Sequence, residues 1–274
     1  MWILNNILNK TFDFFFSPFR ALNPLWGLCV ISLLTGVLML IIFRYTSNQE
    51  GIKKAKDKIK AYLFEIRLYK DDMGLMLQAQ KNLLKYNFIY MKYSVIPMLV
   101  MMIPVVLVLI QLNFRFGYSP LKPGDQAIVA LNLNKEIKVK DLNVRILPPE
   151  GIEVETPSLR IEQTKEIDWR IKAKKSGTFN LEFQVAGEKF NKRINVENSL
   201  TMVSPKRVAS GVSEVLLNPG ESPLPHNGTI ESIEVKYPPM KLMVFGYNIH
   251  WLIIFFVLSI AFGFSIKGVF GVQV

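Results

Sequence analysis

"VIPMLVMMIPVVLVLIQLNF", Val95 to Phe114, runs for twenty residues without a charge. A helix rising 1.5 Å per residue needs about that length to cross a hydrocarbon core of about 30 Å. A similar run, Leu25 to Phe43, precedes it, and a third, Ile249 to Ile266, follows near the end of the 274-residue chain. Half of the residues are apolar and they are bunched into such runs, which is the composition of a membrane protein. The expectation is three spanning helices, in segments 24–44, 94–114 and 249–267.

Charge sets the orientation. From Arg44 to Tyr93 there are 11 Lys or Arg against 5 acids, whereas Arg115 to His250 holds 19 against 16. Short loops rich in Lys and Arg stay inside, so segment 45–93 is expected in the cytoplasm and the long later segment outside. Lys267, just after the third run, agrees, and so the N-terminus lies outside and the tail 268–274 inside. The expected location is the inner (cytoplasmic) membrane. More than half of the formal charge of +11 then belongs to a hairpin beside the bilayer, with no sequence-specific nucleic-acid binding implied.

Between the first two runs, Ile52, Ala55, Ile59, Leu63, Ile66 and Tyr69 recur at steps of three and four with lysines opposite them. "YKDDMG" interrupts the pattern and "LMLQAQKNLLKYNFIYMKY" resumes it, which predicts an antiparallel helical hairpin. Its cations, Arg44, Lys53, Lys54, Lys56, Lys60, Arg67 and Lys70, form a candidate recruitment surface. Acidic headgroups would meet them at about 1 kcal/mol per cation. Segment 1–23 has no basic leader and no cleavage site, so it is expected to be retained. Its apolar face, Ile3, Ile7, Leu8, Phe12, Phe14, Phe15, Phe16 and Phe19, suits the outer headgroup layer, with Pro18 and Pro24 interrupting any longer helix.

After "YSPLKPGD" the period changes to two. "AIVALNL", "LNVRILP", "IDWRIKA", "FNLEFQV" and "KRINV" alternate, with turns at "PPEG", "KKSG" and "AGEK". About seven short strands in 119–198 predict an immunoglobulin-like β-sandwich with Trp169 in its core, of which Pro123 to Glu197 should fold alone, followed by a connector over 199–248 with a short helix at Val208 to Leu217 and strand-like alternation resuming at "ESIEVKY". The fold class expected is an α-helical membrane protein of three spans and a cytoplasmic hairpin, carrying an extracytoplasmic all-β sandwich.

Nothing in the chain spells catalysis. There are 2 histidines without metal-ligand spacing, no phosphate-binding or nucleophile motif, and no Asp or Glu in any apolar run. Catalytic, metal and cofactor residues are each expected to be none. The single cysteine, Cys29, lies in the first run, so no disulfide is expected. What stands out is methionine: Met39, Met73, Met76, Met91, Met98, Met101 and Met102 fall in the first two runs and the hairpin. Flexible and polarizable, methionine adapts to apolar partners of varied shape. Pro97 and Pro104 free the carbonyls of Tyr93 and Val100, which implies a kinked second span. Ser32 and Thr35 in the first run, like Gly36, and Ser259, Ala261, Gly263 and Ser265 in the third, are expected where helices pack closely.

"LMLIIFRYTSNQEGIKKAKDKIK", then a charged hairpin, then "YSVIPMLVMMIPVVLVLIQL" resembles the core of the YidC/Oxa/Alb insertase superfamily, in particular its three-span branch of archaeal YidC-like proteins and the EMC and GET insertase subunits. Thr46 and Gln49 match the polar turn that ends the family's first core helix, and Pro97 and Pro104 its paired prolines. Two features depart from the pattern: "TGVLML" stands where bacterial members carry a groove arginine, and the β segment lies between the second and third spans. The resemblance implies a non-enzymatic insertase or chaperone, with a groove at Ser32, Thr35, Met39, Met98, Met101, Met102 and Pro104. It implies as partners membrane lipids, newly made membrane proteins and ribosomes. The alternative is a structural subunit of a larger membrane complex, bound to integral membrane partners through its β domain and hairpin.

Overall fold

The computed structural model describes every residue except Met1, Ala21, Lys135, Asp141, Ser210, Asn227, Gln273 and Val274. Helices α1 (Trp2–Phe16), α2 (Pro24–Thr46), α3 (Gln49–Leu68) and α4 (Met73–Leu112) come first. Strands β1 (Gln126–Leu133), β2 (Val144–Leu147), β3 (Ile152–Val154), β4 (Leu159–Ile161), β5 (Glu166–Ala173), β6 (Gly177–Val185), β7 (Glu188–Val196) and β8 (Lys206–Val208) follow. A short α5 (Val212–Leu217), then β9 (Ile230–Val235), β10 (Leu242–Val244), β11 (Tyr247–Ile249) and α6 (Trp251–Ile266) complete the order. The chain divides into a helical unit, 28–107 with 252–274, and a β unit, 1–27 with 108–251.

In the helical unit, α2 and α4 belong to the segments long and apolar enough to cross a membrane. Helix α6 is as apolar but has only 16 residues, about 24 Å at 1.5 Å each. The expected third span, 249–267, is therefore shortened at its start: Tyr247–Ile249 is spent on strand β11, because the turn at Gly246 folds the chain back there. Helix α4 runs uninterrupted through Pro97 and Pro104 for 40 residues, about 60 Å, so hairpin arm and second apolar run are one element rather than two meeting at 93/94. Side chains start both hairpin arms. Asn48 Oδ1 accepts from the Gly51 amide at 2.8 Å, and Asp72 Oδ1 from the amides of Gly74 and Leu75 at 3.0 and 3.1 Å. The arms are antiparallel, with Tyr62 against Tyr86 at 5.6 Å between rings and Lys56 Nζ 5.8 Å from the Tyr90 ring. Ile52, Ala55 and Ala79 are buried. Leu63, expected in this seam, is exposed, and Tyr62 takes its place because its flat ring lies against Tyr86.

Besides the two-stranded β10–β11 pair, the β unit holds two antiparallel sheets. One has the order β3-β5-β1-β9-β8 with β4 also on β5, the other β2-β6-β7. Val129, Leu131, Ile167 and Ile171 of the first sheet share one buried cluster with Phe183, Ile194 and Val196 of the second. Trp169 is buried in it, edge-on to Phe183 at 5.9 Å. Strands β1 to β7 lie within 119–198 as expected, but the segment read as a connector is part of the same fold. Strand β9 pairs along β1 from Val129↔Val235 to Leu133↔Ile230, and Val203, Leu224, Ile233 and Tyr237 complete the core. The hydrophobic alternation of "IESIEV" demands a sheet partner, and the exposed flank of β1 supplies it. The short helix begins at Val212, four residues later than expected.

Candidate functional site

Within the helical unit, α2, α4 and α6 line an open cavity of about 340 Å³. Its α2 wall is Thr35, Gly36, Met39, Leu40 and Phe43, and α4 adds Met101 and Val105. The α6 wall is Phe255, Phe256, Ser259, Ile260, Gly263 and Phe264, with Lys267 at its end. The helices approach closely at one point: a methyl group on Gly36 would lie 3.0 Å from the Ser259 carbonyl oxygen and 3.4 Å from the Gly263 nitrogen. Small residues there let two backbones meet, and the aromatic and methionine side chains on either side are held apart, leaving the space.

The cavity is almost wholly apolar. The Thr35 hydroxyl donates to its own helix, to the Ile31 carbonyl at 2.8 Å, and Ser32 does the same to Leu28 at 2.7 Å. Both hydroxyls are thereby satisfied within α2. Ser259 lines the α6 wall, but its Oγ is itself buried and meets no partner among the described residues. Lys267 supplies the charge, its ammonium 4.8 Å from the Phe264 ring centroid.

Of the residues expected to line a groove, Thr35, Met39 and Met101 do so. Ser32 is fully buried outside the lining, Met98 and Met102 are exposed, and Pro104 is half-buried without reaching the cavity. Met102 is rotated about 100° from Met101 and faces another way, whereas Met98 shares the Met101 side of α4 but sits almost a turn before the lining formed by Met101 and Val105. The α6 wall was not foreseen, although the small residues Ser259 and Gly263 marked the helix contact that creates it.

The recruitment cations Arg44, Lys53, Lys54, Lys60, Arg67 and Lys70 are exposed, and Lys56 is half-buried. Lys54 stands 3.9 Å from Glu50, an exposed pair of little energetic weight. Partial burial, then repulsion from Lys267 and Lys60, holds the Lys56 ammonium below its ordinary range. Lys56 of the hairpin and Lys267 at the end of the pocket are thus like charges within electrostatic reach of each other in one unit.

The β unit contains a buried cation that sequence patterning missed. Arg115 is 2% exposed, with Nη2 2.6 Å from Asp13 Oδ1 and Nη1 2.8 Å from Gln111 Oε1. Asn9 Oδ1 accepts from Gln111 Nε2 at 2.8 Å, and Asn5 Nδ2 donates to the Val215 carbonyl at 2.5 Å. Asn5, Asn9 and Asp13, four residues apart, are one polar stripe that anchors α1, opposite the exposed Ile3, Ile7 and Phe14. That spacing was the available signal.

No group of three or more His, Cys, Asp or Glu is placed to hold a metal among the described residues. No protein-family model, curated protein or solved structure matches this chain.

Proposed function

We propose that this protein is a YidC-like membrane insertase or membrane-protein chaperone. The observation that carries the proposal is the apolar cavity between α2, α4 and α6, rimmed by Lys267 and bordered by a basic helical hairpin of the same unit. In this reading α2, α4 and α6 span the inner membrane, the N-terminus and an immunoglobulin-like β unit lie outside, and the hairpin and C-terminus lie in the cytoplasm. Helix α6, at 16 residues, crosses by thinning the bilayer locally, which lowers the cost of moving polar flanks through it. Met39 and Met101 offer adaptable contact to apolar segments of varied sequence. No covalent step is involved.

A photo-crosslinker at Met39 or Met101 of the membrane-embedded protein should trap newly made hydrophobic segments of differing sequence. The same group at Met98 or Met102 should trap mainly lipid. Capture at Met101 of one constant partner, whatever chain is being synthesised, would make the cavity a subunit interface and the protein a structural component of a larger complex.

A further inference from the structure

Strands β10 and β11 form a small sheet of their own, paired Leu242↔Ile249, Met243↔Asn248 and Val244↔Tyr247, and closed by Phe245 and Gly246. Both turn residues have positive φ, 50° and 85°, which is the two-residue turn that matches strand twist. The first position of such a turn favours Asn, Asp or Gly, since any other side chain accepts left-handed backbone at a cost. The turn between β6 and β7 has the same signs of φ and uses Ala186 before Gly187. Here the position holds phenylalanine, and its ring gains nothing from the fold in return: Phe245 is 95% exposed. Tyr247 and Met243 beside it are 75% and 66% exposed, while Leu242 at the base is buried. A bulky apolar side chain is thus held on a strained backbone, displayed rather than packed.

The occupant follows from where the hairpin stands in the chain. Strand β11 ends at Ile249 and the apolar helix α6 begins at Trp251, with His250 between. Three strand residues at about 3.3 Å each place the turn within about 10 Å of the hairpin base. If Trp251 stands at the outer headgroup level, Phe245 is within reach of the headgroup and acyl boundary, where aromatic residues concentrate. Lys241, exposed at the base, suits the phosphates at that level.

From this we infer that the β10–β11 hairpin is a membrane-docking finger, inserting Phe245 into the phospholipid interface of the outer leaflet. The inference rests on the reading of α6 as a membrane helix. It gives the β unit a second tether besides the chain itself, and it explains why the turn departs from the residues its backbone favours.

The full chain, with Cys29→Ser, is reconstituted in phospholipid nanodiscs with a nitroxide on Met243→Cys, and its accessibility to oxygen and to a water-soluble nickel chelate is measured. A label on Val257→Cys reports α6, and one on Lys174→Cys reports water. The label at 243 should read as bilayer interface, severalfold more accessible to oxygen than to nickel relative to the label at 174. Adding Phe245→Asn should return it to the water value and raise the melting temperature of the β unit by relieving the turn. A water-like or doubly shielded label at 243 with a bilayer-like label at 257 overturns the finger and leaves the membrane reading standing. A water-like label at 257 overturns the membrane reading and the finger with it. A label at 243 that keeps its interface reading with Phe245→Asn would show that the ring does not carry the insertion, which also overturns the inference.

Discussion

Lys192 is fully buried in the β unit, and Glu221, from the segment that follows β8, is the side chain that meets it. Burial pulls the Lys192 ammonium below its ordinary range, and the Glu221 carboxylate opposes that pull. The other Glu221 oxygen accepts from the Arg193 amide at 2.8 Å, and Lys192 Nζ also donates to the Ser204 carbonyl at 2.7 Å. Removing one partner of such a pair leaves a charge buried without compensation, so Glu221→Ala should cost about 3–5 kcal/mol in the denaturant unfolding of the β unit followed by circular dichroism. The double variant Lys192→Met with Glu221→Leu should recover most of that, short of the orphaned Arg193 amide. Asp168 works in the opposite sense. Burial first, and the neighbouring Glu166 carboxylate second, push it up to about 6 from 3.8, and its Oδ1 meets no partner among the described residues. A carboxyl whose folded value lies above its unfolded value contributes stability at low pH that is lost as pH rises through the folded value. The β unit should therefore weaken between about pH 4 and 6. Asp168→Asn should flatten that slope and stabilise at pH 7 by on the order of 1 kcal/mol, after allowing for the solvent that reaches the site. A slope unchanged by the substitution would assign the pH dependence to other groups.

Strand β9 shows how far an element can lie from the pattern that predicts it. A fragment ending at Glu197 removes β8 and β9, strips β1 of one partner and opens the core at Val203, Leu224, Ile233 and Tyr237. That fragment, 123–197, should be unfolded by circular dichroism, whereas one spanning 118–240 should show a cooperative β signal. A folded short fragment would mean that β9 is an accessory strand. The alternation of β1, β5, β6 and β7, and the burial of Trp169, were legible because period two is written locally in each strand. The pairing of 230–235 with 129–133 was not, because closing a loop of that length depends on a core partner no local window contains. For the same reason the groove residues that the resemblance implied line the pocket only in part, at Thr35, Met39 and Met101, and omit the wall from α6: a pocket is a property of three helices together. The close approach at Gly36 can be tested directly. Gly36→Val should cost about 1–3 kcal/mol by overpacking against the Ser259–Gly263 backbone. Disulfide formation between Thr35→Cys and Ser259→Cys should fall with it, whereas Gly36→Ala should be milder in both respects.

Across the whole chain, charge is unevenly distributed. The 50 residues from Arg44 to Tyr93 carry a net +6, whereas 115–250 carry +3 over almost three times the length. Lys and Arg close to a span oppose transfer across the membrane, and large, nearly balanced domains follow wherever the spans lead. The β unit's own ion pairs fit that account: Lys174 with Glu153 at 3.0 Å and Lys189 with Glu182 at 2.7 Å match cation with acid on its surface, while most hairpin cations stand exposed along α3. Our proposed topology therefore puts Lys58 and Lys174 on opposite sides of the membrane. In a Cys29→Ser background, single cysteines at these positions should react with an impermeant maleimide from opposite sides of sealed vesicles, position 58 from the cytoplasmic face. Exchanging Lys53, Lys54, Lys56, Lys58 and Lys60 for glutamate removes the signal without altering the apolar runs, and a fraction of the molecules should then insert inverted. Labelling of both positions from one side in the unaltered protein would mean that α2 and α4 do not each cross the bilayer. The insertase reading, which needs a basic hairpin inside and a β unit outside, would fall with that result.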